Sequence, residues 1–227
     1  MKPPKFFRRF DYKRSLLPNS YIAELEKDVK TTEQATEKTG YTIGYPGWNL
    51  IYYVLLSHLK PNQRNIVVET GSNIGCTTVI LAQAIKDSLG EGRLYSVELE
   101  ADNYEKAKHN LLQAGVAEFV DIRLGDSKEV LQQLVKELPG IRTAFLDASH
   151  LIDDVFTEFE IIYPLLEEDS IVIFDNTYQI ADPGEDQRVF GALHKIQDKY
   201  GGNLINLEFV SWYTPGLALW QRKPFPV

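Results

Sequence analysis

Two hydrophobic periods alternate along most of the chain. Short β-branched runs at 65–69, 93–98, 118–124, 142–147 and 169–174 are separated by stretches at 75–89, 101–114, 126–138 and 151–166 in which apolar positions recur every three or four residues. In the second of these stretches Tyr104, Ala107, Leu111 and Ala114 form one apolar face, as a helix packed on a sheet requires. Strand and helix in strict alternation predict an α/β fold, a mostly parallel sheet with helices on both faces. After a fifth helix at about 185–200 the alternation stops. Two strand-like runs, 203–210 and 216–222, then follow with only a short break around Pro215-Gly216, so the sheet is expected to close on an antiparallel strand at its edge.

Upstream, residues 20–38 are polar and helix-prone, and Gly40 is placed to stop them. An aromatic segment beginning at Tyr41 runs into an apolar helix that ends near Pro61. There is no internal repeat, low-complexity tract or linker. The expected organisation is one globular domain with a basic arm over 1–19, helices over 20–62 and the α/β body over 63–227.

At 227 residues the chain can bury one large core. Its single cysteine, Cys76, permits no internal disulfide and suits a reducing, cytoplasmic setting. No apolar run reaches the roughly 20 residues that span a bilayer, so no membrane partner is expected. The first fourteen residues carry six cations against Asp11, a charge of +5, which leaves −13 for the rest of a chain whose total is −8. That arm lacks the apolar stretch of a secretory signal and reads as a solvated terminus, with contact to an anionic surface or a partner subunit as the alternative. An acidic body argues against nucleic acid as the main substrate, because neutralising phosphates needs a basic footprint. A small molecule fits better.

The first strand ends in Glu69-Thr70-Gly71-Ser72-Asn73-Ile74-Gly75-Cys76, and a helix follows. Glycines at a strand-to-helix turn permit positive φ and let a ligand approach the backbone, and open α/β sheets bind ligands at the carboxyl ends of their strands. A dinucleotide site would want three glycines, so that a pyrophosphate rests on bare N–H groups at the helix start. Here there are two, four residues apart, with Glu69 just before them. A carboxylate repels a pyrophosphate but suits a cation. A plain structural turn is the alternative. Glu98 ends the second strand, 23 residues past Gly75, where an acid can accept both hydroxyls of a ribose, or stand as a solvated loop residue. Gly125-Asp126-Ser127 ends the third strand, where a short polar side chain can reach an adenine amine or cap the next helix.

With these residues in hand the chain resembles the class I S-adenosylmethionine (SAM)-dependent methyltransferases over roughly residues 45–222. The resemblance is carried by the glycine loop at Val68–Gly75, Tyr95-Ser96-Val97-Glu98, Gly125-Asp126-Ser127, Phe145-Leu146-Asp147-Ala148-Ser149-His150 and Ile173-Phe174-Asp175-Asn176. It implies a Rossmann-like seven-stranded sheet of order 3-2-1-4-5-7-6 with the last strand antiparallel, and helices over 20–62 that cover the substrate side. It also implies SAM as cofactor, held by Glu69, Gly71, Ser72, Asn73, Gly75, Glu98, Asp126, Ser127 and Asp147. Its second half is similar to the cation-dependent O-methyltransferases, of catechol, caffeoyl-CoA and macrolide-sugar type. The resemblance then assigns a divalent cation, Mg²⁺ in the first instance, to Asp147, Asp175 and Asn176, with Asp147 and Asp175 28 residues apart. Hard oxygen donors suit Mg²⁺, which keeps part of its shell open for substrate oxygens. In the alternative, Asp147 binds the SAM amine and Asp175 and Asn176 merely begin a loop.

His150, three residues past Asp147, is the candidate base, since a neutral imidazole accepts a hydroxyl proton at neutral pH. It matches the macrolide-sugar group, whereas the catechol enzymes carry lysine there. An exposed helix-start histidine is the other reading. The partner implied is a small-molecule acceptor bearing a hydroxyl, and family analogy allows a homodimer. Some of Tyr41, Tyr45, Trp48, Tyr52, Tyr53, Tyr178, Trp212 and Tyr213 are candidates for lining an acceptor pocket. His58, His109 and His194 read as surface or packing residues, and Cys76 as a buried packing residue. Three rival functions stay open: a cation-independent methyltransferase, a nicotinamide-dependent oxidoreductase and a non-catalytic SAM-binding protein.

Overall fold

β1 (Arg64–Thr70) takes the middle of the sheet because every residue after Arg64 is buried and successive side chains face opposite layers. Ile66 and Val68 join a core with the helices of one face, while Val67 joins the core of the other. Around it run β2 (Glu91–Glu98), β3 (Val120–Leu124), β4 (Ile141–Leu146), β5 (Leu166–Asp175), β6 (Asn203–Leu207) and β7 (Leu217–Gln221), in the order β3-β2-β1-β4-β5-β7-β6. Strands β1 to β5 pair in parallel, and β7 runs antiparallel to both β5 and β6. The expected Rossmann-like sheet and its reversed last strand are both present. The computed structural model describes residues 13–40, 44–177, 188–207 and 216–222.

On one face, α4 (Cys76–Asp87) is buried over ten consecutive positions between the sheet and α3 (Gly47–His58), with α5 (Ala101–Gln113) alongside. On the other, α6 (Ser127–Glu137), α7 (Ile152–Ile162) and α8 (Arg188–Tyr200) cover β1, β4, β5 and β7. At the amino end of the sheet the buried Arg142 pairs with Glu167 at 2.8 Å and with Asp169.

That ion-pair group explains one departure from the sequence reading. The fifth strand is expected to begin at Asp169, after the acidic pair Glu167-Glu168, yet β5 already starts at Leu166, where Arg142 neutralises Glu167 and Asp169. The polar stretch 20–38 divides into α1 (Ser20–Leu25) and α2 (Thr32–Thr39). Asn19 caps α1 through the N–H groups of Tyr21 and Ile22, and Asp28 turns the chain at φ 60°. The helix expected over 151–166 stops at Ile162, and Pro164, lacking an N–H, sits in the short 3₁₀ turn that follows. A similar turn, Ala117–Phe119, delays β3. The last three residues of the run 203–210 lie outside the described residues, as do the first three of the helix placed at about 185–200 and most of the basic arm.

Trp48 and Tyr52, two of the aromatics considered for an acceptor pocket, belong to the core between α3 and α4, and the Tyr52 hydroxyl donates to Asp87 at 2.7 Å. Tyr53 is exposed and packs edge-on against Tyr52. Tyr41, Tyr178, Trp212 and Tyr213 lie outside the described residues. Among the described residues no helix is long and apolar enough to cross a membrane.

Candidate active site

The glycine loop is pressed against the end of β4. Gly71 has φ 80°, and a Cβ there would stand 2.3 Å from the Asp147 carbonyl oxygen and 2.7 Å from Ala148 Cα. No side chain fits, so the tight approach requires glycine. The N–H groups of Gly71 and Ser72 both donate to the Val97 carbonyl, at 2.9 and 3.1 Å, which ties the loop to β2. Gly75, at φ 85°, starts α4 and lets it sit against Ala107 of α5. Asn73, itself left-handed at φ 50°, donates its N–H to Glu98 Oε2 at 2.6 Å and its side-chain amide to the Gly40 carbonyl at 2.6 Å. The other Glu98 oxygen accepts from the Glu100 N–H at 2.9 Å. The acid at the end of β2 is thus aimed by backbone on both sides.

These strand ends surround a cleft of about 690 Å³, within the roughly 300–1,000 Å³ usual for small-molecule sites. Of the residues singled out in the sequence, Gly71, Asn73, Glu98, Asp126, Ser127, Asp147, His150, Asp175 and Asn176 line it. Glu69, Ser72 and Gly75 do not. Glu69 shares a sheet face with Val67, is fully buried on the α4 side and accepts from Ser96 Oγ at 2.6 Å. Burial pushes its carboxyl up to about 7 against the pull of that hydroxyl. It lies beneath the loop and forms no wall of the cleft. The cleft is anionic for another reason: among the described residues Glu98, Glu100, Asp126, Asp147, Asp154 and Asp175 line it against only Lys128 and Arg188. A cationic ligand is favoured there over a diphosphate.

Asp126 is the N-cap of α6, accepting from the N–H groups of Lys128 at 2.9 Å and Glu129 at 3.3 Å, while still lining the cleft. Ser127 Oγ donates to Glu158 Oε1 at 2.5 Å. One residue on, Lys128 Nζ meets Asp154 at 2.7 Å, and Ser149 Oγ donates to the same carboxylate at 2.8 Å.

Asp147, directly after β4, and Asp175, the last residue of β5, come from neighbouring parallel strands and face one cleft. Asn176 follows at φ 57°. The Asp147 N–H donates to both the carbonyl and the hydroxyl oxygen of Thr70, at 3.1 and 3.3 Å. Burial, and then the charges of Glu69 and Glu158, hold the Asp147 carboxyl well above the usual carboxylate range. His150 Nε2 lies 3.7 Å from Asp147 Oδ1, with 43% of its side chain exposed. Desolvation in the cleft lowers its imidazole below the ordinary value, Asp175 acting against this and Arg188 with it. Among the described residues no three Asp, Glu, His or Cys side chains gather as a metal group. The expected donor set is two carboxylates and an amide, which suffices for Mg²⁺.

Sequence reading missed Glu158. It is 1% exposed, lies on the buried stripe of α7 with Val155, Phe159 and Ile162, and accepts from Thr70 Oγ1 at 3.0 Å as well as from Ser127. A charged residue in an otherwise apolar stripe is the signal that marked it. Of the other histidines, His194 packs its ring on Phe190 at 4.6 Å, His58 ends α3, and His109 borders a shallow surface groove. Cys76 is buried, and its thiol is pushed up to about 12 by that burial.

Residues 68–177 match a family model described as "Methyltransferase domain". Caffeoyl-CoA O-methyltransferase 5 of Nicotiana tabacum is 27% identical over 69% of this chain and 67% of its own length. The rhamnosyl O-methyltransferase of Mycobacterium tuberculosis is 28% identical over 67% of this chain, which spans 61% of that relative. Among solved structures, an O-methyltransferase from Bacillus cereus in complex with S-adenosylhomocysteine (SAH) superposes with a TM-score of 0.74 at 19% identity, covering 92% of this chain and 93% of that one. A Streptomyces achromogenes O-methyltransferase involved in tomaymycin synthesis, bound to SAM, gives 0.73 at 20% identity, covering 96% and 94%.

Proposed function

We propose that this chain is a class I SAM-dependent O-methyltransferase that moves the sulfonium methyl group of SAM to a hydroxyl oxygen of a small molecule with the help of a divalent cation. The observation that carries this reading is the anionic cleft at the strand ends, lined by six acids and two cations and floored by a glycine that touches the backbone of Asp147. SAM bears an ammonium and a sulfonium and no phosphate, so the charge of the cleft favours it and disfavours a nicotinamide dinucleotide.

Glu98 is the acceptor for the ribose hydroxyls, already oriented by the N–H groups of Asn73 and Glu100. Asp126 and Ser127 stand at the nucleoside end of the cleft, and Gly71 leaves the backbone bare for the methionine portion. Asp147, Asp175 and Asn176 would hold the cation, Mg²⁺ by the chemistry of all-oxygen donors. Held by these residues, a cation would supply Lewis acidity, making an acceptor hydroxyl easier to deprotonate. Asp147 fits that duty, because its ionised form is disfavoured in the protein alone and a neighbouring positive charge relieves this. The acceptor oxygen bonds to the methyl carbon as the carbon–sulfur bond breaks, SAH leaves neutral, and His150 takes the hydroxyl proton. Most of the acceleration is positional, since well-oriented partners reach effective molarities of about 10⁵–10⁸ M.

The test is methyl transfer from SAM to a panel of caffeoyl-CoA, catechol and rhamnoside acceptors, read by mass spectrometry with Mg²⁺ and with chelator. A methylated product that needs the cation supports the reading. Product formed equally well in chelator removes the cation, and SAM binding without turnover on any acceptor leaves a binding protein.

A further inference from the structure

The buried carboxylate of Glu158 links the start of α6 to the end of β1. One oxygen accepts from Thr70 Oγ1 at 3.0 Å and the other from Ser127 Oγ at 2.5 Å. Thr70 ends β1, and its carbonyl and hydroxyl oxygens both receive the Asp147 N–H. Ser127 opens α6 and lines the cleft beside Asp126. The residue comes from neither loop. It stands on α7, in a stripe whose other members are Val155, Phe159 and Ile162. An acid at that depth costs stability unless its oxygens are used, and a leucine would pack better. Asp154, one turn earlier on α7, repeats the connection nearer the surface, taking Lys128 from the α6 side and Ser149 from the loop after β4. Residues 127 and 128, which line the cleft, are therefore tied twice by the same helix to the Asp147 side, through Thr70 buried beneath it and through Ser149 in the cleft wall.

We infer that Glu158 is a positioning residue of the methyl-donor site: it fixes the start of α6, at the nucleoside end, relative to the ends of β1 and β4, where Asp147 stands. The inference rests on the SAM reading given above. Burial pushes the Glu158 carboxyl up to about 7, with the Ser127 and Thr70 hydroxyls pulling the other way, so these bonds favour its ionised form.

The experiment is SAH titration by calorimetry into the full chain and its variants Glu158→Gln, Glu158→Leu, Thr70→Val and Thr70→Val/Glu158→Leu, at a temperature where circular dichroism shows each folded. Glu158→Leu is expected to raise the SAH Kd about tenfold, the change that 1.4 kcal/mol gives. Glu158→Gln, which keeps the length and one carbonyl acceptor, is expected to fall between it and wild type. The double variant is expected to be no weaker than Glu158→Leu alone, because the Thr70 hydroxyl has by then lost its acceptor on Glu158. A purely structural role would lower the melting temperature and leave the Kd of the folded protein unchanged. Wild-type Kd in the folded Glu158 variants, or fully additive effects in the cycle, overturns the inference. If Glu158→Leu does not fold, the same cycle run with Glu158→Gln decides on the same criteria. Wild-type protein that ignores SAH overturns the functional reading instead.

Discussion

Asp147 Oδ1 and His150 Nε2 stand 3.7 Å apart, although no helix connects the two residues. The spacing comes from the loop after β4, pinned at one end by Thr70 and at the other by the Ser149–Asp154 bond. Charge is disfavoured on both groups, on the carboxyl by burial and its acidic neighbours and on the imidazole by desolvation. A neutral imidazole beside the carboxyl proposed to hold a cation is arranged to receive a proton.

Replacing His150 by alanine is therefore expected to lower kcat by about 10²–10⁴, the usual worth of a general base. SAH affinity should stay at the wild-type value. The lowered imidazole puts the acidic limb of the wild-type kcat profile below pH ~6.5, and that limb should vanish in the variant. Steady-state kinetics across pH, beside SAH calorimetry, checks both.

Asp147→Asn and Asp175→Asn remove one anionic oxygen donor each. Cation affinity is expected to fall by at least ~10–100-fold, the loss seen even for groups that only orient a ligand. Manganese binding followed by paramagnetic resonance reads this without turnover. Unchanged manganese affinity in both variants would place the cation elsewhere or remove it.

Gly71→Ala meets two obstacles, a left-handed φ of 80° and the Asp147 carbonyl 2.3 Å from the new Cβ. The first costs about 1–2 kcal/mol and the second forces the β1 and β4 ends apart. Chemical denaturation should show a loss of at least ~2 kcal/mol, and SAH binding should disappear with it. Gly201→Ala is the control, since its Cβ would meet nothing within 4 Å at a comparable φ of 65°.

Glu69 and Glu158 both have carboxyls raised to about 7 by burial. Each folded-state value lies above the unfolded one, so each contribution is fully present below about pH 4.3 and is lost as pH rises through about 7. The protein alone should lose stability between pH 5 and 8, on the order of 3 kcal/mol for each group. The lowered imidazoles of His58 and His150 oppose this in the acidic half of that window without reversing two buried acids, and Asp169, held below the usual range by Arg142, does so only at lower pH. Urea midpoints at several pH values check the slope, which Glu69→Gln should flatten. A midpoint that rises steadily from pH 5 to 8 contradicts the account.

Much of the fold could be read from period alone. Strand order followed from the resemblance, and the nine cleft-lining candidates meet because each sits at the carboxyl end of one of the five parallel strands or just beyond it. Glu69 shows where such reading fails. Its place before a glycine suggested a wall of the cleft, but strand parity pairs it with Val67 and turns it toward α4. Glu158 was hidden because its meaning depends on Thr70 and Ser127, distant in sequence and brought together only when α7 packs. Trp48 and Tyr52 entered the core because α3 needs bulk to fill its contact with α4. Strand β5 began early because Arg142, from another strand, pairs with its acids.

The most direct measurement is calorimetric titration of SAH and, separately, NADH into the wild-type chain, each with Mg²⁺ and with chelator. The account predicts saturable binding of one SAH per chain and no heat from NADH. Saturable NADH binding with none for SAH would contradict it.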